Sequence, residues 1–194
     1  MTNYNHPQHF LPTFADMEDG VINCLVEIQR GSINKYEIQK DTGFFKLDRV
    51  LFQQTPYPFD YGLISQTYDA DDDLLDVAVL NDGEPFAQAC LVEGRVIGVM
   101  YFDDTGETDD KIIVVPNDDY RWKEVKDISD LSKAQIEEME FFWTHIKDIQ
   151  FKYKNKPNAK TTVKGWGGRD EAMKVIQHAQ EVYKAKYQDN PNLS

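Results

Sequence analysis

Apolar and polar residues alternate cleanly over positions 21–28, with Ile22, Cys24, Val26 and Ile28 on one face and Glu27 on the other. That period of two predicts a strand. A second strand is expected over 34–40, in which Lys35 and Glu37 share a face opposite Tyr36 and Ile38. Asp41-Thr42-Gly43 reads as a turn into a third strand over 46–52, which carries Arg49. Pro56 and Pro58 then break regular structure. Further strands are expected at 76–80, 88–101 and 111–115. The run Val77-Ala78-Val79-Leu80 is apolar throughout, as in a strand buried on both faces, and it holds Asp76 at its mouth.

The period changes late in the chain. Ser132 and Gln135 have the spacing of a capping box, and Ile136, Met139, Trp143 and Ile146 follow at helical intervals, predicting a helix to about residue 150. A second helix is expected over 170–187, with Ala172, Val175, Ile176, Ala179, Val182 and Tyr183 as its stripe. The intervening stretch 152–164 is basic, contains Pro157 and reads as a loop leading to Gly165-Trp166. Strands first and helices last indicate a mainly β, α+β fold: a β-barrel or sheet core with two late helices packed outside. Residues 1–20 are polar without a clear period and are expected to form an irregular arm. Residues 21–194 are expected to form a single domain. There is no internal repeat and no low-complexity segment.

Charge narrows the partners. Of 194 residues, 21 are Lys or Arg and 34 are Asp or Glu, a net charge of −13. Nucleic acid and anionic membranes are therefore poor partners, whereas a small anionic substrate is compatible if metal ions invert the sign locally. Cys24 and Cys90 are isolated among mainly apolar neighbours, which favours reduced thiols over a disulfide. Residues 1–14 carry neither a basic region nor an apolar run of the kind found in secretory signals, and no stretch reaches 18 apolar residues. A cytoplasmic protein is expected.

Two acidic clusters remain to be explained. Asp71-Asp72-Asp73-Leu74-Leu75-Asp76 packs four carboxylates into six residues. Unit charges about 5 Å apart repel by about 3 kcal/mol at an effective dielectric near 20. A solvated loop tolerates this, and so does a site for several hard cations. Asp103-Asp104-Thr105-Gly106-Glu107-Thr108-Asp109-Asp110-Lys111 is a second cluster between apolar strands, either an exposed acidic hairpin or the other half of a shared metal site. Oxygen-only ligation points to Mg²⁺ or Mn²⁺ over Zn²⁺. The four histidines are scattered, and neither an EF-hand, a phosphate-binding GxxxxGK[ST] loop nor a GxSxG elbow is present. Lys35, Arg49 and Lys111 alternate with carboxylates along the strands, as a metal–phosphate site requires, although each alone is more often a surface charge.

Taken in order, Val26-Glu27-Ile28, Asn34-Lys35-Tyr36-Glu37-Ile38, Leu47-Asp48-Arg49, Tyr57-Pro58-Phe59-Asp60-Tyr61-Gly62, the 71–76 cluster, the 103–111 loop and His145-Ile146-Lys147-Asp148 resemble the family I soluble inorganic pyrophosphatases of bacterial type. The resemblance spans about three quarters of the chain. It implies a small closed five-stranded barrel of OB type with flanking helices. The implied activity is Mg²⁺-dependent hydrolysis of pyrophosphate to two phosphates, with several ions per site and Mn²⁺ as a possible substitute. It further implies direct in-line attack of a metal-activated water. By position, Asp71, Asp76, Asp103 and Asp109 correspond to direct metal ligands, and Glu27 and Glu37 to ligands acting largely through water. Asp73 corresponds to the carboxylate that takes the proton of the attacking water. Lys35, Arg49, Lys111 and Lys147 correspond to phosphate-binding cations, and Tyr61 to a tyrosine near metals and nucleophile. Tyr57 and Asp104 are supporting candidates.

Four positions depart from the family pattern. Leu74 replaces a proline, Asp60 replaces an asparagine, and Asp104 stands for a longer glutamate in a loop one residue longer. Ile146 occupies the place of a phosphate-contacting tyrosine, which removes one substrate hydrogen bond. The competing reading is a catalytically impaired relative that holds metal and phosphate without turnover. A nucleotide phosphohydrolase is a third, without any base-recognition motif to support it. Compact relatives of this length form hexamers and longer ones dimers, so a homohexamer is expected, with no nucleic-acid or membrane partner.

Overall fold

The computed structural model describes residues 3–69 and 73–193. A one-turn helix α1 (Pro7–Phe10) and a short strand β1 (Phe14–Asp16) lie in the segment expected to be irregular. They precede β2 (Val21–Ile28), β3 (Asn34–Ile38), β4 (Phe45–Val50), β5 (Asp60–Ile64), β6 (Asp76–Val79), β7 (Leu91–Asp104), β8 (Glu107–Thr108) and β9 (Lys111–Pro116). Helices α2 (Lys133–His145) and α3 (Asp148–Tyr153), strand β10 (Thr161–Gly168) and helix α4 (Arg169–Lys186) complete the chain.

Strands β2, β5, β6, β9 and β7 hydrogen-bond in that order, and β7 returns to pair with β2. The result is the expected closed five-stranded barrel. Its pairings are antiparallel except β6–β9, whose parallel register sets Asp76 beside Lys111. The long β7 serves both β2 and β9, which is how one strand closes the ring. Glycine allows the closest approach: a Cβ at Gly62 would stand 1.9 Å from the Leu25 carbonyl oxygen, where β5 meets β2. The β3–β4 hairpin forms a separate two-stranded sheet that places Lys35 opposite Arg49.

The two amphipathic helices cover two halves of the core. Helix α4 contributes Ala172, Ile176 and Ala179 to a buried cluster with Ile22, Cys24, Val26, Val77, Val79, Ile112 and Val114. Helix α2 contributes Met139, Phe142 and Trp143 to a second cluster that includes Tyr57, Phe59, Tyr61 and Phe102. Each large apolar side chain so buried stabilises the fold by about 1.5–3 kcal/mol relative to exposure. The Ser132 cap is formed as expected: Gln135 N donates to Ser132 Oγ at 3.3 Å and Ser132 N donates to Gln135 Oε1 at 2.9 Å. Cys24 and Cys90 are free thiols. Among the described residues no helix is long and apolar enough to cross a membrane.

The structure corrects four expected boundaries. Pro56 and Pro58 do interrupt regular structure, but an unexpected strand β5 starts two residues later at Asp60, and all five of its residues are buried. Strand β7 runs on to Asp104, so Asp103 and Asp104 belong to a strand rather than to a loop. The helix expected to reach residue 150 breaks at Ile146 and Lys147 and restarts as α3. The Gln53 amide bridges that break, donating to the His145 carbonyl and accepting from Ile149 N at 3.4 Å. Finally, half of the expected basic loop is helix or strand. Thr161–Gly168 pairs antiparallel with β7 through a register shift between Val163 and Gly165. Backbone pairing at a sheet edge needs no apolar side chains, so this strand leaves little trace in hydropathy.

Candidate active site

Barrel, hairpin and helix breaks converge on two adjoining cavities. The outer, of about 490 Å³, is lined by Glu27, Glu37, Asp41, Asp73, Asp76, Asp104 and Asp109 against two ammonium groups, Lys35 and Lys40. The inner, of about 50 Å³, is lined by Lys35, Arg49, Lys147, Tyr57, Trp143 and Ile146, among others. Lys35, Tyr61, Asp76, Asp104 and Asp109 line both, so an acidic chamber adjoins a smaller pocket in which Lys35, Arg49 and Lys147 meet the three aspartates.

Pairing register positions the centre of this site. Lys111 opens β9 beside Asp76 and is fully buried, with its ammonium 2.5 Å from Asp76 Oδ2 and also paired with Asp109 Oδ1. Burial works to lower its pKa, but the charges of Asp76 and Asp109 outweigh it and leave the pKa raised. The Tyr61 hydroxyl, one strand away on β5, donates to the same Asp76 Oδ2. Burial first, and then the Asp76 charge, raises the Tyr61 pKa, so the phenol stays a donor. Tyr57 packs beside Tyr61 with ring centroids 5.6 Å apart, and burial raises its pKa likewise. Asp109 is pushed up chiefly by burial, with Lys111 opposing.

The walls come from the hairpin and β2. Glu27 is 7% exposed, its Oε1 accepts from Ile38 N at 2.7 Å, and burial pushes its pKa up to about 8. Lys35 Nζ lies 2.9 Å from Glu37 Oε1, bearing out the shared face of this strand. Arg49, opposite Lys35, pairs with Asp48. Asp73 Oδ1 accepts from Leu74 N at 2.8 Å and lies 2.8 Å from Lys40 Nζ. Lys147, held at the α2–α3 break, pairs with Asp104. Ile146 is 5% exposed and belongs to the core under α2, so no hydroxyl is offered from this position.

Lys111, for all its ion pairs, lines neither cavity, and two further expected residues stand apart. Asp71 lies outside the described residues. Asp103 faces away from the chamber: strand alternation turns it to Lys164, whose Nζ is 2.6 Å from Oδ2, while Asp103 Oδ1 accepts from Gly106 N at 2.8 Å. The Lys164 pairing holds the Asp103 pKa below the usual carboxylate range. Its neighbour Asp104 lines both cavities instead. Reading 103–111 as a loop hid this alternation. Lys40, Gln8 and Trp143 also line the site and had no expected role. No local signal marked Lys40, because its partner Asp73 is brought to it only by folding. Trp143 was visible only as part of a helical stripe.

The donor set tests what ion fits. Among the described residues no three His, Cys, Asp or Glu side chains form a ready metal cage. The outer chamber nevertheless sets seven carboxylates against two ammoniums, with no sulfur or imidazole among these charged groups. That excess of hard oxygen donors suits divalent cations of the Mg²⁺ class. Carboxylates on one flank and Lys and Arg on the other can hold a doubly or multiply charged phosphate compound and stabilise charge on its oxygens.

Comparison with known proteins agrees with this geometry. A family model described as inorganic pyrophosphatase matches residues 24–184. An inorganic pyrophosphatase of Halobacterium salinarum is 42% identical over 181 residues, covering 91% of this chain and 96% of that protein. One from Bacillus sp. strain PS3 is 39% identical over 159 residues, covering 82% and 92%. Among solved structures, the Thermus thermophilus inorganic pyrophosphatase superposes with a TM-score of 0.82 at 34% identity, covering 90% of this chain and 97% of the other. The Neisseria gonorrhoeae inorganic pyrophosphatase gives 0.81 at 38% identity, with 94% and 99% covered. The chain therefore belongs to the inorganic pyrophosphatase family.

Proposed function

We propose that this chain hydrolyses inorganic pyrophosphate to two phosphates by direct in-line attack of water, in a site that requires divalent cations, with Mg²⁺ the preferred ion and Mn²⁺ a substitute. The observation that carries the reading is the junction of the two cavities, where Asp76, Asp104 and Asp109 face the acidic chamber and the pocket of Lys35, Arg49 and Lys147 at once. Family membership supports it.

In this mechanism Asp76, Asp104 and Asp109, with Asp71 from the same acidic motif, would hold the cations, and Glu27 and Glu37 would assist them. Asp104 takes the place first expected of Asp103, because Asp103 is turned to Lys164. When bound, the cations neutralise the substrate and lower the pKa of the attacking water. Lys35, Arg49 and Lys147 grip the phosphoryl oxygens, Arg49 through its fork and the lysines as point charges. Lys111 exchanges one carboxylate partner for a substrate oxygen, and its burial strengthens that contact. Tyr61 orients Asp76 through its hydroxyl, and Tyr57 backs Tyr61 from the core. Asp73 orients the water and accepts its proton. No covalent intermediate is called for.

Phosphate release with Mg²⁺ across pyrophosphate, tripolyphosphate and nucleoside triphosphates tests the reading. Release from pyrophosphate is expected to dominate and to vanish with EDTA, and Asp73→Asn is expected to lower kcat by about 10²–10⁴-fold at an unchanged melting temperature. A folded protein that binds pyrophosphate without releasing phosphate would overturn it. We further propose a homohexamer located in the cytoplasm; light scattering of the purified chain checks the oligomeric state.

A further inference from the structure

A third cavity, of about 610 Å³, opens where β7, the 117–126 segment and the start of α4 meet, and it shares no lining residue with either catalytic cavity. Four cations face it: Arg95 from β7, Lys123 and Lys126 from the connecting segment, and Arg169 from the first turn of α4. Among the described residues none of the four is ion-paired with a carboxylate. Arg95 donates to the Val125 carbonyl and, at 2.9 Å, to the Trp122 carbonyl, and Arg169 Nη2 donates to the Asp19 carbonyl at 3.0 Å. These bonds aim both guanidiniums and leave most of their five donors each unused.

The acids at the rim do not cancel this charge. Asp119 is closed onto Arg121, with Nε 2.8 Å from Oδ1 and Nη2 2.5 Å from Oδ2. Asp19 and Asp118 remain, two carboxylates against four cations, on a chain whose net charge is −13. The cavity is also shaped around its arginine. Gly20 has a φ of +65°, and a Cβ there would stand 2.7 Å from Arg169 Nη2. Burial, and then the charge of Arg169, lowers the Arg95 pKa, as expected of two guanidiniums that share a cavity.

We propose that this cavity binds an anion of the phosphate class, orthophosphate or a phosphomonoester, at a site separate from the catalytic one. Planar guanidiniums with spare forked donors, backed by lysines, are suited to phosphate oxygens. The volume lies in the range of small-molecule sites, leaving room for the organic part of a monoester beside the Tyr120 ring at the rim.

The test titrates full-length protein in EDTA with orthophosphate and, separately, with AMP, by calorimetry. Saturable binding is expected, weakening as salt is raised. Arg169→Glu is expected to weaken it at least tenfold, and so is the Lys123→Gln/Lys126→Gln double variant, whose exposed positions leave the fold intact. Arg49→Gln, in the catalytic pocket, is expected to leave it unchanged. Orthophosphate binding alone would assign the inorganic anion, and AMP binding the monoester. Failure of both probes to bind would overturn the proposal. Binding lost in Arg49→Gln but kept in both cavity variants would do so too. Pyrophosphate hydrolysis by Arg169→Glu, measured alongside, reports on the catalytic reading independently.

Discussion

Lys40 holds its ammonium 2.8 Å from Asp73 Oδ1, tying the end of the β3 hairpin to the carboxylate assigned to the attacking water. Both side chains are about half exposed, at 53% and 56%, so the pair contributes little to stability. Its consequence is orientation. Lys40→Gln is expected to lower kcat about three- to tenfold with KM nearly unchanged and a melting temperature within a degree or two. Lys40→Arg should restore most of the loss. Steady-state kinetics decide it, and an undiminished kcat in Lys40→Gln would separate Lys40 from catalysis.

Asp60, where the family pattern has asparagine, is fully buried and meets only N–H donors. Its Oδ1 accepts from Arg30 N at 2.9 Å and Phe86 N at 3.2 Å, and its Oδ2 from Asn81 Nδ2 at 3.3 Å. An asparagine retains the first two bonds and turns its amide toward another amide. Asp60→Asn is therefore expected to cost only about 1 kcal/mol, while Asp60→Ala strands three donors and costs about 2–4 kcal/mol. Urea unfolding of the two variants gives the comparison directly.

Ile146 fills core space under α2 instead of offering a hydroxyl to the inner pocket. Ile146→Tyr should gain a phosphate hydrogen bond, about 1–2 kcal/mol or roughly a five- to thirtyfold rise in kcat/KM. Because the side chain enters a packed cluster, stability should fall by about 1–3 kcal/mol. Unchanged kinetics in the folded variant would show that the missing hydroxyl is immaterial to substrate binding.

His9, bonded to the cavity-lining Gln8, supplies a pH dependence of stability. Its Nδ1 lies 2.5 Å from the Tyr183 hydroxyl and its Nε2 2.9 Å from Gln8 Nε2, an amide donor that suits a neutral ring. Burial, followed by the charges of His6 and Lys40, lowers its pKa from 6.5 to about 4. Between those values the unfolded chain binds the extra proton, so stability falls as pH falls through the window, by about 1.4 kcal/mol per unit. From pH 7 to 5 this residue should account for a loss of about 2 kcal/mol. Denaturant unfolding at both pH values is expected to show a correspondingly smaller loss in His9→Gln; an identical loss would rule the assignment out.

How much of this was legible in the chain depends on the range of the interaction concerned. The alternation in β2, the Ser132 cap and the stripe of α4 are local patterns, and each element formed where its period placed it. The acidic clusters and the ordered motifs around Lys35, Tyr61 and Lys147 sufficed to identify the family and the chemistry. Register was beyond reach, because a strand's own sequence does not say which residue lies across from it. Only the parallel β6–β9 pairing buries Lys111 between Asp76 and Asp109, and only the extension of β7 turns Asp104 inward and Asp103 out to Lys164. Strand β10 escaped for the same reason: its place rests on backbone hydrogen bonds to β7, which polar residues make as readily as apolar ones. The sequence by itself determined the kinds of groups in the site; the tertiary structure decided which carboxylates face one another across it, since that depends on pairings between distant segments.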